Sequence, residues 1–279
     1  IKAVHALAKK GSQESLDTLG EVLVGKEFWG LQAEAAKALG NIKTESALDC
    51  LLKGKELPDS RARTAVARAL GEFFQNDRAF ETLKKLSEDK ESYFVVSSAA
   101  ASIGKTKHEQ AFDFLRGEIK NAPNSWHNII KQGYLKGLGE TENEKAIDIL
   151  KKYLVKGTDD YLRRLIPELL AKLGKKYKKK HSDIKGILEK LLYDNSYRVR
   201  GGAILATKTY GDSSYISALT RIAETEVESY LVRAARVSIR ELKKKQGKDE
   251  VDSLKKSVEK LERENRELKD RMSKIEARM

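Results

Sequence analysis

Apolar residues recur at helical spacing along most of the chain, in pairs of segments that differ in composition. The first segment of each pair places large aliphatic or aromatic residues three and four positions apart, the spacing that lines one face of a helix. The second segment is rich in alanine and ends in glycine. These glycines, 31 to 37 residues apart, are Gly40, Gly71, Gly104, Gly139, Gly174 and Gly211. A repeated unit of two helices predicts an all-α superhelix of about seven helix pairs over residues 1–245.

Polar residues mark the expected ends of these helices. Ser12, Thr44 and Asn76 precede first helices, where their side chains can accept hydrogen bonds from the free amide groups of the first turn. The repeated glycines are expected just past the ends of second helices, at a positive φ that glycine adopts without steric cost. Pro167 lies inside a predicted second helix and should bend it.

An aromatic residue opens most of the second helices, after a short polar turn. The positions are Trp29, Tyr93, Trp126, Tyr161, Tyr197 and Tyr230. A ring at a recurring place can be a platform for a ligand. The expected role is packing between neighbouring repeats, because burial of a ring removes a large apolar area from water.

After residue 245 the repeat gives way to strict heptads. Steps of three and four connect Val251, Leu254, Val258, Leu261, Asn265, Leu268, Met272 and Ile275. This spacing predicts a coiled coil over residues 246–279, and Asn265 at an a position favours a parallel homodimer in register. The flanking positions of such a dimer oppose unlike charges, as in Glu250 with Lys255. A single exposed helix, or one that folds back onto the repeats, is the alternative.

Charge adds a candidate binding site. The net charge is +13, and residues 151–200 contain fifteen basic against six acidic side chains. The densest group, in a predicted loop, is Lys175, Lys176, Lys178, Lys179 and Lys180. A solvated basic loop is the expected interpretation, and an anion-binding patch is the alternative. Nucleic acid is not the expected partner.

The amino-acid composition indicates in which cellular compartment the protein is expected. Hydrophobic residues make up 40% of the chain, and no apolar run approaches the roughly 18 residues of a membrane-spanning helix. Cys50 is the single cysteine, so an internal disulfide is excluded, and it is expected to be a small core residue. A cytoplasmic location is therefore expected. The chain opens at Ile1 with what resembles the second helix of a pair, so we expect a fragment of a longer protein.

Two segments combine a polar turn, basic residues and a following Ala-rich helix. They are Asp59–Arg63 and Asp194–Arg200, and Tyr230–Ala235 is a third copy without the final glycine. On these features residues 1–245 resemble HEAT repeats. The resemblance implies a stacked helical fold and says little about function, because such repeats serve many roles.

A narrower resemblance rests on Phe28–Trp29, Glu91–Val95 and Asn124–Gly139. These segments are similar to the C-terminal helical region of zinc aminopeptidases of the aminopeptidase N type. The resemblance implies a non-catalytic region of an enzyme that removes N-terminal residues from peptides. Such a region would support or cap the catalytic unit, which would be its partner.

The residues that zinc catalysis needs are not in this sequence. The family's His-Glu-x-x-His helix has its nearest match at His108–Glu109, where Phe112 replaces the second histidine. Deoxyhypusine hydroxylase, a di-iron enzyme built from HEAT repeats, uses several His-Glu pairs, and this chain has one. We expect no catalytic residue, no metal and no cofactor here, with zinc in the resembled parent enzyme. Two further functions stay open: a free-standing scaffold that binds a protein, and a binder of the nucleic-acid backbone.

Overall fold

A computed structural model of the chain describes the backbone of residues 1–276 and the side chains of residues 1–268. Within residues 1–276 it contains α-helices, short 3-10 turns and no β-strand, which confirms the predicted all-α fold. The α-helices are α1 (Lys2–Lys10), α2 (Gln13–Val24), α3 (Trp29–Ile42), α4 (Glu45–Lys53), α5 (Ser60–Leu70), α6 (Asp77–Leu86), α7 (Tyr93–Thr106), α8 (Ala111–Asn121), α9 (Ile129–Glu140), α10 (Ala146–Lys152), α11 (Asp160–Arg163), α12 (Ile166–Lys176), α13 (His181–Leu191), α14 (Tyr197–Tyr210), α15 (Ile216–Thr225) and α16 (Ser229–Glu276).

After α1 the helices form seven pairs, from α2 with α3 to α15 with α16. Within the first part of the chain each second helix packs against the next one, so that α3, α5, α7 and α9 lie in sequence as neighbours. We call the exposed side of these four helices, continued by α11 and α12, the second-helix face. The predicted succession of helix pairs is confirmed.

The chain divides into two compact units, Ile1–Ala203 and a second unit that begins at Ile204, within α14. In the second unit α15 packs against α16. Helix α16 runs without interruption through the predicted boundary between residues 245 and 246, and the division of the chain at that point stays a prediction. Among the described residues, none of the helices combines the length and the apolar character that crossing a membrane would require.

Leucines at helical spacing form the core, as the sequence pattern predicts. Leu19, Leu48 and Leu83 on first helices and Leu39 and Leu70 on second helices are completely buried. Removal of these side chains from water is the main force that holds each pair together.

The predicted caps of the first helices are confirmed. Ser12 and Thr44 each accept a hydrogen bond from the amide three residues later, at 3.3 Å, and Asn76 accepts one from Ala79 at 3.0 Å. Each bond satisfies an amide that the helix leaves without an internal partner.

The prediction for the repeated glycines is wrong at most positions. Gly40 and Gly104 lie inside α3 and α7, each of which continues for two more residues. Lys43 and Lys107, not the glycines, adopt the left-handed conformation past these ends, with φ of 59° and 50°. A Cβ on Gly40 would lie 2.9 Å from the Cα of Ala69, so glycine is needed there for close helix packing. Gly139 and Gly174 also lie inside helices, and Gly71 has an ordinary φ of −63°.

Pro167 interrupts its segment more strongly than the predicted bend. The second helix divides into α11, which ends at Arg163, and α12, which begins at Ile166. Proline then occupies the first turn of α12, where its missing amide removes no hydrogen bond.

Candidate binding groove

A groove of about 520 Å³ lies on the second-helix face, over α7 and between α5 and α9. Its lining is drawn from four successive repeats. The residues are Arg68, Phe94, Ser97, Ser98, Ala101, Ser102, Trp126, His127, Ile129, Gln132, Lys136, Tyr161 and Arg164.

The floor of the groove consists of small side chains of α7. Ser97, Ser98 and Ala101 are only partly buried and face the open space. On the other side, α7 and α9 approach so closely that a Cβ on Gly133 would lie 2.4 Å from the carbonyl oxygen of Ser97. Small residues on both helices therefore bring α9 near and leave a depression above α7.

Three cationic side chains converge on this depression. Arg68 comes from α5, Lys136 from α9 and Arg164 from the residue that follows α11, and all three are exposed. No ion pair joins any of them to a carboxylate among the described residues. Desolvation by the groove walls lowers the pKa of Lys136, and the charges of Arg164 and Arg68 lower it further. The lowered pKa of Lys136 therefore reflects first the partial removal of its ammonium group from water and only then the two neighbouring positive charges.

Aromatic rings form one wall of the groove. Trp126 is 63% exposed and Phe94 is 52% exposed. The ring of His127 lies between those of Trp126 and Tyr161, at 3.9 Å from each ring centre.

An unusual turn holds the histidine in this wall. His127 and Asn128 both have a positive φ, of 50° and 54°, which is uncommon for residues other than glycine. The side-chain amide of Gln132 donates a 2.7 Å hydrogen bond to the carbonyl of His127. This bond holds the strained turn before α9 in place. It thereby also fixes the orientation of the Trp126 and His127 rings, which the turn carries.

The expectation that the aromatic residues of the second helices pack between repeats is largely wrong. Tyr93, Trp126, Tyr197 and Tyr230 remain between 39% and 63% exposed. Trp29 and Tyr161 are half-buried and do contact the next repeat, each beneath an arginine. The Arg61 guanidinium lies 4.2 Å from the Trp29 ring and that of Arg198 lies 5.0 Å from the Tyr161 ring.

The lysines of the predicted anion patch do not line the groove. Lys175 and Lys176 end α12, and Lys178, Lys179 and Lys180 form a 3-10 turn. Lys176 pairs with Glu142 at 2.7 Å, and this bond raises the pKa of Lys176. Lys175, Lys178 and Lys179 are exposed. Anion binding by this patch stays a prediction.

The coiled-coil seam is exposed along α16. Val251, Leu254, Val258, Leu261 and Leu268 are between 50% and 65% accessible, and Asn265 is exposed with them. The side chains of Met272 and Ile275 lie outside the described residues. This exposure leaves the seam side chains accessible, and their pairing in a dimer stays a prediction.

The residues checked for metal chemistry serve other purposes. His108 stacks on Phe80 at 4.0 Å and bonds Asp77 at 2.8 Å through Nε2. Residues 1–268 contain no cluster of three or more histidine, cysteine or acidic side chains that could hold a metal ion. Cys50 is half-buried, and desolvation raises the pKa of its thiol.

Comparison with known proteins identifies a family that matches the first part of the repeats. A family model described as HEAT repeats matches residues 1–55 and 54–127. The resemblance to HEAT repeats is thereby confirmed in this part of the chain, and the α12–α13 region continues the same paired helices. No curated protein matches the chain significantly.

Two solved structures are similar to this chain at low sequence identity. The complex of CpcE and CpcF of phycocyanin lyase from Nostoc sp. PCC7120 is 19% identical, covers 81% of this chain and 94% of its own, and has a TM-score of 0.51. Human deoxyhypusine hydroxylase in complex with glycerol is 15% identical over 85% of this chain and 99% of its own, with a TM-score of 0.37. These matches do not link the chain to aminopeptidases, and that resemblance stays a prediction.

Proposed function

We propose that this chain is a HEAT-repeat scaffold that binds a partner protein through its second-helix face. The observation that supports this most directly is the exposure of Phe94 and Trp126 beside unpaired cations. Tryptophan, tyrosine and arginine are the residues that most often supply the binding energy of protein interfaces.

The architecture suits such a role. Close packing of α7 on α9 gives the groove a stiff floor, so little conformational entropy is lost when a partner binds there. The similar structure of phycocyanin lyase is itself a complex of two chains, CpcE and CpcF. It illustrates that this kind of fold can be part of an assembly.

Two finer proposals accompany the scaffold. We propose that the partner includes a second copy of this chain, joined through the exposed seam of α16. The proposal that the chain belongs to a zinc aminopeptidase, as the region that caps the catalytic unit, is supported by the sequence segments quoted above. A His-Glu-x-x-His helix encoded upstream in the same gene would support it, and a complete gene without one would exclude it.

Site-specific crosslinking in the source cells tests the binding face. With p-benzoylphenylalanine in place of Phe94, we expect covalent adducts with a partner protein that mass spectrometry identifies. The additional substitution Trp126→Ser should abolish these adducts. The matched control is Tyr193→Ser, which removes an equally exposed ring, 56% accessible, after α13 on the other helix layer.

The outcomes separate clearly. Adducts that are lost in Trp126→Ser and unchanged in Tyr193→Ser support binding through the second-helix face. Adducts that are unchanged by Trp126→Ser, or an absence of adducts from position 94, would contradict it.

A further inference from the structure

We infer that the groove of Arg68, Lys136 and Arg164 binds a phosphorylated side chain of the partner protein. This inference rests on the proposed function, because it names the chemistry that the second-helix face recognises. It concerns residues that neither the family match nor the similar structures single out.

The charge of the site is the first argument. Two guanidinium groups and one ammonium group face the same depression, and its lining residues include no carboxylate. A single carboxylate would neutralise only one of these charges. A phosphate monoester carries between 1.5 and 2 negative charges at about pH 7 and offers three acceptor oxygens.

The donors of the groove match those oxygens. Arginine guanidinium groups form paired hydrogen bonds with phosphate, and lysine adds a compact charge. The hydroxyl groups of Ser97 and Ser98 line the same floor and supply further donors. Clusters of arginine are the usual means by which proteins recognise phosphorylated segments.

The distribution of charge favours a protein segment over a nucleic acid. An adjoining groove of about 260 Å³ shares Arg68 but is also lined by Glu34 and Glu72. A phosphodiester chain that continued along the face would meet these carboxylates. Positive charge is concentrated at one point, which suits one phosphate group rather than a row of them.

The aromatic wall adds an apolar contact surface next to the charges. Phe94 and Trp126 line the depression, and more than half of each side chain is exposed. The apolar residues that flank a phosphorylated side chain, or the ring of a phosphotyrosine, can pack there. Phosphate and neighbouring side chain would thus be recognised together.

Fluorescence anisotropy with the purified full chain tests the inference. The probes are fluorescein-labelled short peptides with one phosphotyrosine or one phosphoserine, the same peptides without phosphate, and a short single-stranded oligothymidylate. We expect a phosphorylated peptide to bind at least about tenfold more tightly than its unmodified form, since a charged hydrogen-bonded contact contributes about this much.

Substitutions assign the binding to the groove. Lys136→Gln and Arg164→Gln should each weaken phosphopeptide binding about tenfold. The matched control is Lys120→Gln, because Lys120 is an exposed lysine on α8, in the other helix layer. Both cations are exposed, and circular dichroism verifies that the variants keep their helices.

Three results would overturn the inference. They are equal affinity for phosphorylated and unmodified peptides, equal loss of binding in Lys120→Gln, and tighter binding of the oligothymidylate than of either phosphopeptide. The crosslinking experiment separates this failure from that of the proposed function. For this purpose the crosslinking is repeated in cell extract that is treated with phosphatase before irradiation. Adducts at position 94 that still form there would leave the scaffold intact and exclude the phosphate.

Discussion

At the scale of single residues, most of the repeated glycines have a different role from the one that their position suggests, although Gly211 does adopt a positive φ of 78° just past α14. The sequence places Gly104 where a helix should stop, and the structure places it against the next helix. A Cβ on Gly104 would lie 1.9 Å from the carbonyl oxygen of Gly137. The absence of a side chain, rather than freedom of φ, is what this position requires.

The substitution Gly104→Ala is expected to lower the free energy of unfolding by about 1–3 kcal/mol, because the added methyl group must separate α7 from α9. Gly117→Ala is the matched control. Gly117 also lies inside a helix, and a Cβ there would meet nothing within 4 Å. That substitution should stabilise the protein by up to about 1 kcal/mol. Urea denaturation measures both, and equal effects would contradict the packing role.

The sequence could not distinguish these two uses of glycine. A helix C-terminus and a close helix contact both favour glycine after a leucine, and the neighbour of Gly104 is a residue 33 positions away. One feature of the sequence does indicate the groove. A lysine or arginine lies three residues before the repeated glycine at Lys37, Arg68, Lys136 and Lys208.

At the scale of helices, local patterns predicted the elements well. Apolar spacing located the helices, and the caps at Ser12, Thr44 and Asn76 formed as expected. Helices α10 and α13 begin without a side-chain cap, although polar residues precede or open both. The predicted burial of the aromatic residues was wrong for most of them, because a general tendency of a side chain to be buried does not show that the fold has a pocket for it. The Ala-rich second helices leave no space between repeats, so the rings remain outside.

The exposed seam of α16 gives a prediction at this scale. Light scattering of the full chain should show a dimer, and Leu261→Asp should convert it to a monomer, since a charge cannot be buried at a d position. Arg263→Asp, at an outward f position of the same heptad, should leave the dimer unchanged. A wild-type chain with the mass of a monomer would exclude the coiled-coil homodimer.

At the scale of the whole molecule, ion pairs connect successive repeats of the first unit. Arg63 is buried and pairs with Asp89 of the next repeat at 2.8 Å, while it also donates to the carbonyl of Leu57 at 2.7 Å. Glu142 pairs with both Lys107 and Lys176, which belong to the repeats before and after it. The ion pairs between repeats join residues that are 26 to 35 positions apart in the sequence. Sequence patterns alone therefore do not reveal them.

The Glu142 pairs predict a dependence on pH. Hydrogen bonds from Lys107 and then Lys176 lower the pKa of Glu142 below its ordinary value. The stabilisation is therefore present at neutral pH and is lost as the pH falls through the lowered pKa. Glu142→Gln should reduce the free energy of unfolding by less than about 1 kcal/mol at about pH 7, because the pairs are solvent-exposed.

This difference should shrink when urea denaturation is repeated below the ordinary pKa of glutamate, about 4.3, because the unfolded chain takes up the proton there before the folded chain does. Glu109→Gln, which removes an exposed carboxylate outside these pairs, should show no such change. An equal deficit of Glu142→Gln at both pH values would exclude an electrostatic origin.

One small side chain opens the groove above α7. At the position where its neighbours carry Arg68 and Lys136, α7 carries Ala101. The groove is thus a gap in a row of long basic side chains, and it exists because Ala101 is short. Restoring the missing one with Ala101→Lys would increase the local charge while filling the space. Shape and charge could then be assessed separately, because simple attraction of anions would grow stronger while accommodation of a ligand would cease.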